Sequence, residues 1–162
     1  MTEMSKIVRT ITAIVFPFSM IYGLYVIAHG HLTPGGGFQG GAIVASACAM
    51  VLVAFGSKWT LDKIKEKRLS VFESIGAVAF IGLAFLGLIF GAVFFNNFLA
   101  LPDFSNFLFG TNVLLGDTAA NINTGGVLPL MNFAVGLKVI AGLFAIILVM
   151  AYATTNYKGV KK

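Results

Sequence analysis

Four uninterrupted apolar stretches, Ile7–Ala28, Phe38–Gly56, Val71–Phe95 and Met131–Ala153, limit what this chain can fold into more than any other feature. They run 19 to 25 residues each, close to the roughly 20 a helix needs to cross the hydrocarbon core of a bilayer. A helix satisfies its own backbone hydrogen bonds where lipid offers no partner. Only 10% of the 162 residues are charged, against about 25% in a soluble domain, too few to coat a water-facing globule. The predicted fold is therefore all-α: an integral membrane bundle of four transmembrane helices in a single membrane domain, residues 1–162, with the longest connector at 96–130.

The cationic residues give the topology. Lys6 and Arg9 stand at the start of the first span, Lys58, Lys63, Lys65, Lys67 and Arg68 separate the second and third, and Lys158, Lys161 and Lys162 follow the fourth. Ten of the 11 Lys and Arg thus fall on alternate connectors. The positive-inside rule places both termini and the second connector in the cytoplasm of a prokaryotic multi-pass membrane protein. Trp59, Tyr152 and Tyr157 then suit the inner interface, Tyr22 and Tyr25 the outer one. The net charge of +5 is accounted for by this placement and does not point to nucleic acid. The first stretch is too long for a signal-peptide core and contains Pro17, so it reads as a retained helix. A single cysteine, Cys48, leaves no internal disulfide and no Cys-rich metal site.

The connector between the first two spans is unusual. Gly30-His31-Leu32-Thr33-Pro34-Gly35-Gly36-Gly37-Phe38-Gln39-Gly40-Gly41 holds six glycines in twelve residues, which allow close approach of other backbones. Pro34, Gly35, Gly36, Gly37, Phe38, Gly40 and Gly41 read as a packing or interface loop, contacted by neighbouring subunits. Small residues recur inside the spans, at Ala45 and Ala49, Gly76, Gly82, Gly87 and Gly91, Gly136 and Gly142. Such faces let helices approach closely in lipid, both within the bundle and against other subunits. The segment Asn96–Leu130 carries Phe98, Leu99, Leu101, Phe104, Phe107, Leu108 and Phe109, an apolar surface expected to lie on the bilayer or beneath another subunit.

Lys138 is the only basic residue deep inside a span; Arg9 stands at the very start of the first. With the helix entering at Met131 it lies about 10 Å deep. An ammonium at that depth is costly and marks an ion or proton path, unless its long stem snorkels to the surface. No span centre carries a carboxylate. Glu73 opens the third span at the opposite face, is expected to be too distant in depth to pair with Lys138, and suits the cationic end of its helix dipole or a cytoplasmic ion entrance. The partner of Lys138 is therefore either an outer acid, Asp103 or Asp117, folded inward or, the preferred reading, a group from another polypeptide. His29 and His31 flank the outer end of the first span, within the titration range of a proton relay, with Gln39 as a partner. Asn132 joins Lys138, His29, His31, Gln39 and Glu73 as a candidate lining of an ion path. Two histidines without a third ligand do not make a metal site. Gly35–Gly40 formally fits G-x-G-x-x-G but follows a membrane helix, not a strand. No catalytic constellation and no cofactor motif is present, so the chain reads as a non-enzyme.

The glycine-rich stretch, together with Leu128-Pro129-Leu130-Met131-Asn132 and Val135-Gly136-Leu137-Lys138-Val139, resembles the B subunit of Mrp-type (Mnh-type) multisubunit cation/proton antiporters over nearly the whole chain. The resemblance implies an accessory subunit without a catalytic centre, coupling Na+ and H+ movement together with other membrane subunits. Two settings follow from it: a free-standing Na+/H+ antiporter, or a respiratory complex joined to membrane-bound hydrogenase or sulfane reductase subunits. The length of Asn96–Leu130 favours the second. A purely structural scaffold of a free-standing antiporter is the rival reading, and an independent small transporter a third.

Overall fold

The structure is a computed structural model and describes residues 4–32, 34–91, 93–100 and 125–160. Among the described residues five α-helices follow in order: α1 (Lys6–Ala28), α2 (Gly36–Phe55), α3 (Ser57–Lys63), α4 (Glu66–Gly91) and α5 (Leu128–Val160), with a 3-10 turn at Phe98–Ala100 between the last two. All regular structure among the described residues is helical. α1, α2, α4 and the Leu128–Thr154 part of α5 are each long and apolar enough to cross a membrane. The four expected spans are thus present, with shifted ends.

Each shift has a local cause. Gly35 at φ +78° caps α2, a left-handed conformation that glycine adopts without a Cβ penalty. The helix consequently starts at Gly36, and most of the expected glycine loop is its first two turns. Gly56, φ +88°, ends α2 and turns the chain directly into the short helix α3. Thr60 Oγ1 donates to the Gly56 carbonyl there. α4 reaches back to Glu66 because Glu66, Lys67 and Arg68 are good helix formers even outside an apolar run. It stops at Gly91 instead of Phe95: the chain reverses through Phe95 at φ +62°, and Asn96 Nδ2 donates to the last helical carbonyl, Gly91 O, at 2.8 Å.

The long helices stand in a row, α1 against α2, α2 against α5, α5 against α4. Neighbours α1 and α2 are antiparallel, α2 and α5 parallel, and α5 and α4 antiparallel, as the contacts Gly23 with Val44, Gly37 with Asn132, and Gly76 with Lys138 require. Lys6, Arg9, Lys63, Lys65, Lys67 and Arg68 therefore collect at one end, the basic end, and His29 and His31 lie at the other, the histidine end. The seams are built from small residues: Gly36, Gly37, Gly40, Gly41, Ala45 and Ala47 of α2, and Gly76 and Ala84 of α4, are buried, while Gly87 is buried against the Phe95–Asn96 reversal. This is how helices gain contact in a solvent as apolar as their own side chains. The flanks remain apolar and exposed, with Ile7, Ile14, Phe18 and Ile21 on α1 and Val78, Ile81, Phe85 and Ile89 on α4.

Two apolar clusters close the ends of the row. At the basic end Leu52, Phe144, Leu148 and Ala151 pack with Cys48, Leu61, Ile64 and Leu69. At the histidine end Phe98, Leu99 and Val127 pack with Leu83 and Met131. Phe98 and Leu99 are thus covered by their own chain, and need neither the bilayer surface nor another subunit. Leu101, Phe104, Phe107, Leu108 and Phe109, with Asp103 and Asp117, lie outside the described residues.

Candidate functional site

The candidate residues fall into two groups, one at the histidine end and one along the α4–α5 seam. At the histidine end the first turns of α2 are wedged between α1 and α5. A β-carbon on Gly36 would collide with the Gly30 backbone. One on Gly37 would lie 2.9 Å from Asn132 O, one on Gly40 2.6 Å from Gly23 O, and one on Gly41 3.0 Å from Gly136 O. Real side chains do not fit such spaces, so three backbones meet there. The glycines expected to receive neighbouring subunits are therefore filled by this chain's own helices. Pro34, Gly35, Phe38 and Gln39 remain exposed, Phe38 at 59%.

The polar residues of this end are arranged around that junction. The Asn132 amide lies against Gly30, its Nδ2 2.7 Å from a β-carbon built there. His29 Nδ1 lies 3.2 Å from the Tyr25 carbonyl, a contact in which the ring N–H donates. Its imidazole stacks on the Tyr25 ring at 4.2 Å. His31 is partly buried and sets Cγ 3.0 Å from a β-carbon built on Gly125, at the entry to α5. Gln39 folds its carboxamide over Gly35, Nε2 3.2 Å from a β-carbon there. The structure thus gathers Gly30, Gly36, Gly37 and Asn132 at one point, and gives His29, His31 and Gln39 separate local contacts around it. Among the described residues no three His, Cys, Asp or Glu side chains gather as a metal-binding group.

The second group corrects the expected distance between Glu73 and Lys138. Lys138, ten residues into α5 and so about 15 Å along it, is exposed on the side of the row. It is not enclosed in the bundle. Gly76 of α4 faces it directly, since a β-carbon on Gly76 would lie 2.8 Å from Lys138 N and 3.0 Å from Lys138 Cβ. Glu73, one turn before Gly76, is half-buried, and its carboxylate sits 3.4 Å from a β-carbon built on Gly142, one turn beyond Lys138. Glu73 and Lys138 thus lie about one helical turn apart in depth across the seam. Counting depth from the ends of apolar runs missed this because the register is set at Gly76, where α4 and α5 touch backbone to backbone. The position of Gly76, one turn beyond Glu73, was the available signal.

Sequence reasoning also missed Asn97. Its Oδ1 accepts the Val127 N–H at 2.7 Å and its Nδ2 donates to Gly125 O at 3.2 Å. One side chain thus joins the two ends of the excursion between α4 and α5.

Comparison with known proteins places the chain in a family. Residues 7–145 match the family model described as a domain related to the MnhB subunit of Na+/H+ antiporter. A Staphylococcus aureus (strain Newman) protein named as antiporter subunit mnhB2 is 32% identical over 98 residues, 60% of this chain and 69% of that protein. An uncharacterised protein of Methanocaldococcus jannaschii is 37% identical over 134 residues, 79% of this chain. The chain spans about half the length of that archaeal protein, 46%. With four apolar helices and a family match over most of its length, the chain is a multi-pass membrane protein that belongs to the family of domains related to the MnhB subunit of Na+/H+ antiporters.

Proposed function

We propose that the chain is a non-catalytic accessory subunit of a multisubunit Na+/H+ antiporter module and helps to form its ion path. Its partners are the other membrane subunits of the module, with Na+ and H+ as the transported ions. The observation that carries this reading is Lys138: an ammonium on an apolar helix, exposed on the side of the subunit at the α4–α5 seam. Such a group is expensive in lipid and is normally kept for a polar cavity or a charged partner. Antiport needs fixed and movable charges at that depth; a lipid-facing scaffold does not.

The basic end is placed in the cytoplasm, where the positive-inside rule puts clustered Lys and Arg. The length of the connector after α4 favours a respiratory setting, in which the module is joined to membrane-bound hydrogenase or sulfane reductase subunits. Identifying what co-purifies after gentle detergent extraction tests that setting: redox subunits support it, and an antiporter-only set overturns it.

Replacing Lys138 by Ala in the intact complex tests the role in transport. Sodium-dependent proton transport in proteoliposomes is expected to fall at least tenfold while subunit composition stays the same. Normal transport by the variant complex would instead favour a structural scaffold, to which the lysine contributes only a snorkelling side chain.

A further inference from the structure

The α4–α5 seam carries an inference about how Lys138 is neutralised. We propose that Glu73 of the same chain is the counter-charge of Lys138, and that the two form an ion pair which opens when a proton or a monovalent cation engages the Glu73 carboxylate. The proposal deepens the ion-path reading above and rests on it for its functional half.

The helix register brings the two residues to neighbouring depths. Gly76 faces Lys138 N and Cβ, and the Glu73 carboxylate rests against Gly142. Lys138 and Gly142 are four residues apart on α5, about 6 Å along the axis. A lysine stem extends about 6 Å from Cα to Nζ, so a rotation about its own χ angles brings the ammonium to the carboxylate without moving either helix. The two helices are antiparallel, and each Cα–Cβ bond leans toward its own helix N-terminus. Glu73 therefore leans toward the basic end and Lys138 toward the histidine end. They meet when the lysine folds along α5 toward Gly142, and separate when it extends. That is the behaviour of a pair that opens and closes by side-chain rotation alone.

Energetics favour the pair and its release. A lone ammonium and a lone carboxylate at this depth each carry a heavy desolvation cost, and mutual attraction offsets much of it. A proton or cation on Glu73 removes that attraction and frees the lysine to extend. Gly76 is what admits this arrangement: a side chain there would press on the backbone of α5, whereas a β-carbon at Gly142 would meet the Glu73 carboxylate in ordinary contact at 3.4 Å.

The test uses the intact complex in membranes. Dicyclohexylcarbodiimide activates lipid-accessible carboxyl groups, and an adjacent lysine displaces the resulting urea to leave a zero-length amide. Mass spectrometry is expected to find Glu73 and Lys138 joined with loss of water, and the joined species to vanish in Glu73→Gln. Sodium ions at high concentration should lower its yield severalfold. Carbodiimide that labels Glu73 without ever joining it to Lys138 overturns the pairing. In transport, Glu73→Gln and Lys138→Met should each lose at least tenfold, and the exchange Glu73→Lys with Lys138→Glu should recover severalfold over either. A joined product together with normal transport by both single variants would leave the pair standing and overturn the ion-path reading.

Discussion

Gly36 and Gly30 approach so closely that a β-carbon on Gly36 would coincide with the backbone of Gly30. The contact fixes the angle between α1 and α2 at the histidine end, because neither backbone has a side chain that can yield. Gly36→Ala must push the α1–α2 connection away, and overpacking of this kind costs about 1–3 kcal/mol. The expected result is a lower thermal midpoint of the purified complex and a smaller fraction recovered intact. Gly36→Leu should prevent recovery altogether. A complex of unchanged midpoint with Gly36→Ala would mean that the contact is not made in the assembled protein.

Gly40 and Gly82 form an internal comparison. Both are mid-helix glycines, and in isolation Gly→Ala gains up to about 1 kcal/mol of helix propensity. Gly40 is enclosed: a β-carbon there lies 2.5 Å from Ile27 Cγ1 and 2.6 Å from Gly23 O. Gly82 has nothing within 4 Å and opens onto an apolar groove lined by Leu83, Leu86, Phe133 and Leu137. Thermal denaturation in detergent should show Gly40→Ala destabilised and Gly82→Ala unchanged or stabilised. Equal effects would remove the distinction between an intramolecular seam and an open face.

The sequence made the four helices legible because apolar length is a direct requirement of the bilayer. It left their ends open, since a helix continues as readily through Glu66, Lys67 and Arg68 as through valines, and stops at Gly91 only because Asn96 folds back onto the last carbonyl. The importance of Gly36, Gly37, Gly40 and Gly41 was legible, but their partners were not. Close approach is written in a glycine, whereas the identity of the approaching backbone depends on the α1–α2–α5 register. Glu73 and Lys138 were misjudged for the same reason. Depth along one helix says nothing of how two helices slide past each other until Gly76 meets Lys138.

Asn97 clasps the excursion between α4 and α5 by accepting from Val127 N–H and donating to Gly125 O. Each such bond contributes about 0.5–1.5 kcal/mol, and a part-buried group left unmatched adds to the loss. Asn97→Ala should therefore destabilise this end by about 1–3 kcal/mol without altering the α2–α5 seam. Limited proteolysis is the measurement: cleavage between residues 98 and 127 should accelerate severalfold while sites at the basic end keep their rate. Uniform acceleration at both ends would show that the clasp is not local.

Gly76 is the residue on which the depth match of Glu73 and Lys138 turns. A β-carbon there would lie 2.7 Å from Ala134 O and 2.8 Å from Lys138 N, both backbone atoms of α5. No flexible side chain can move aside to accommodate it, so Gly76→Ala must separate or slide the two helices. Overpacking of this type costs about 1–3 kcal/mol, and it falls on the seam that holds the charged residues. Gly76→Ala should thus lower the thermal midpoint and also reduce sodium-dependent transport, although it removes no charge. Lys138→Arg, which keeps a cation on an unchanged backbone, should retain more activity than Gly76→Ala. If Gly76→Ala lowers stability but leaves transport intact, the seam is a structural contact only, and the charged residues beside it act without the register that Gly76 imposes.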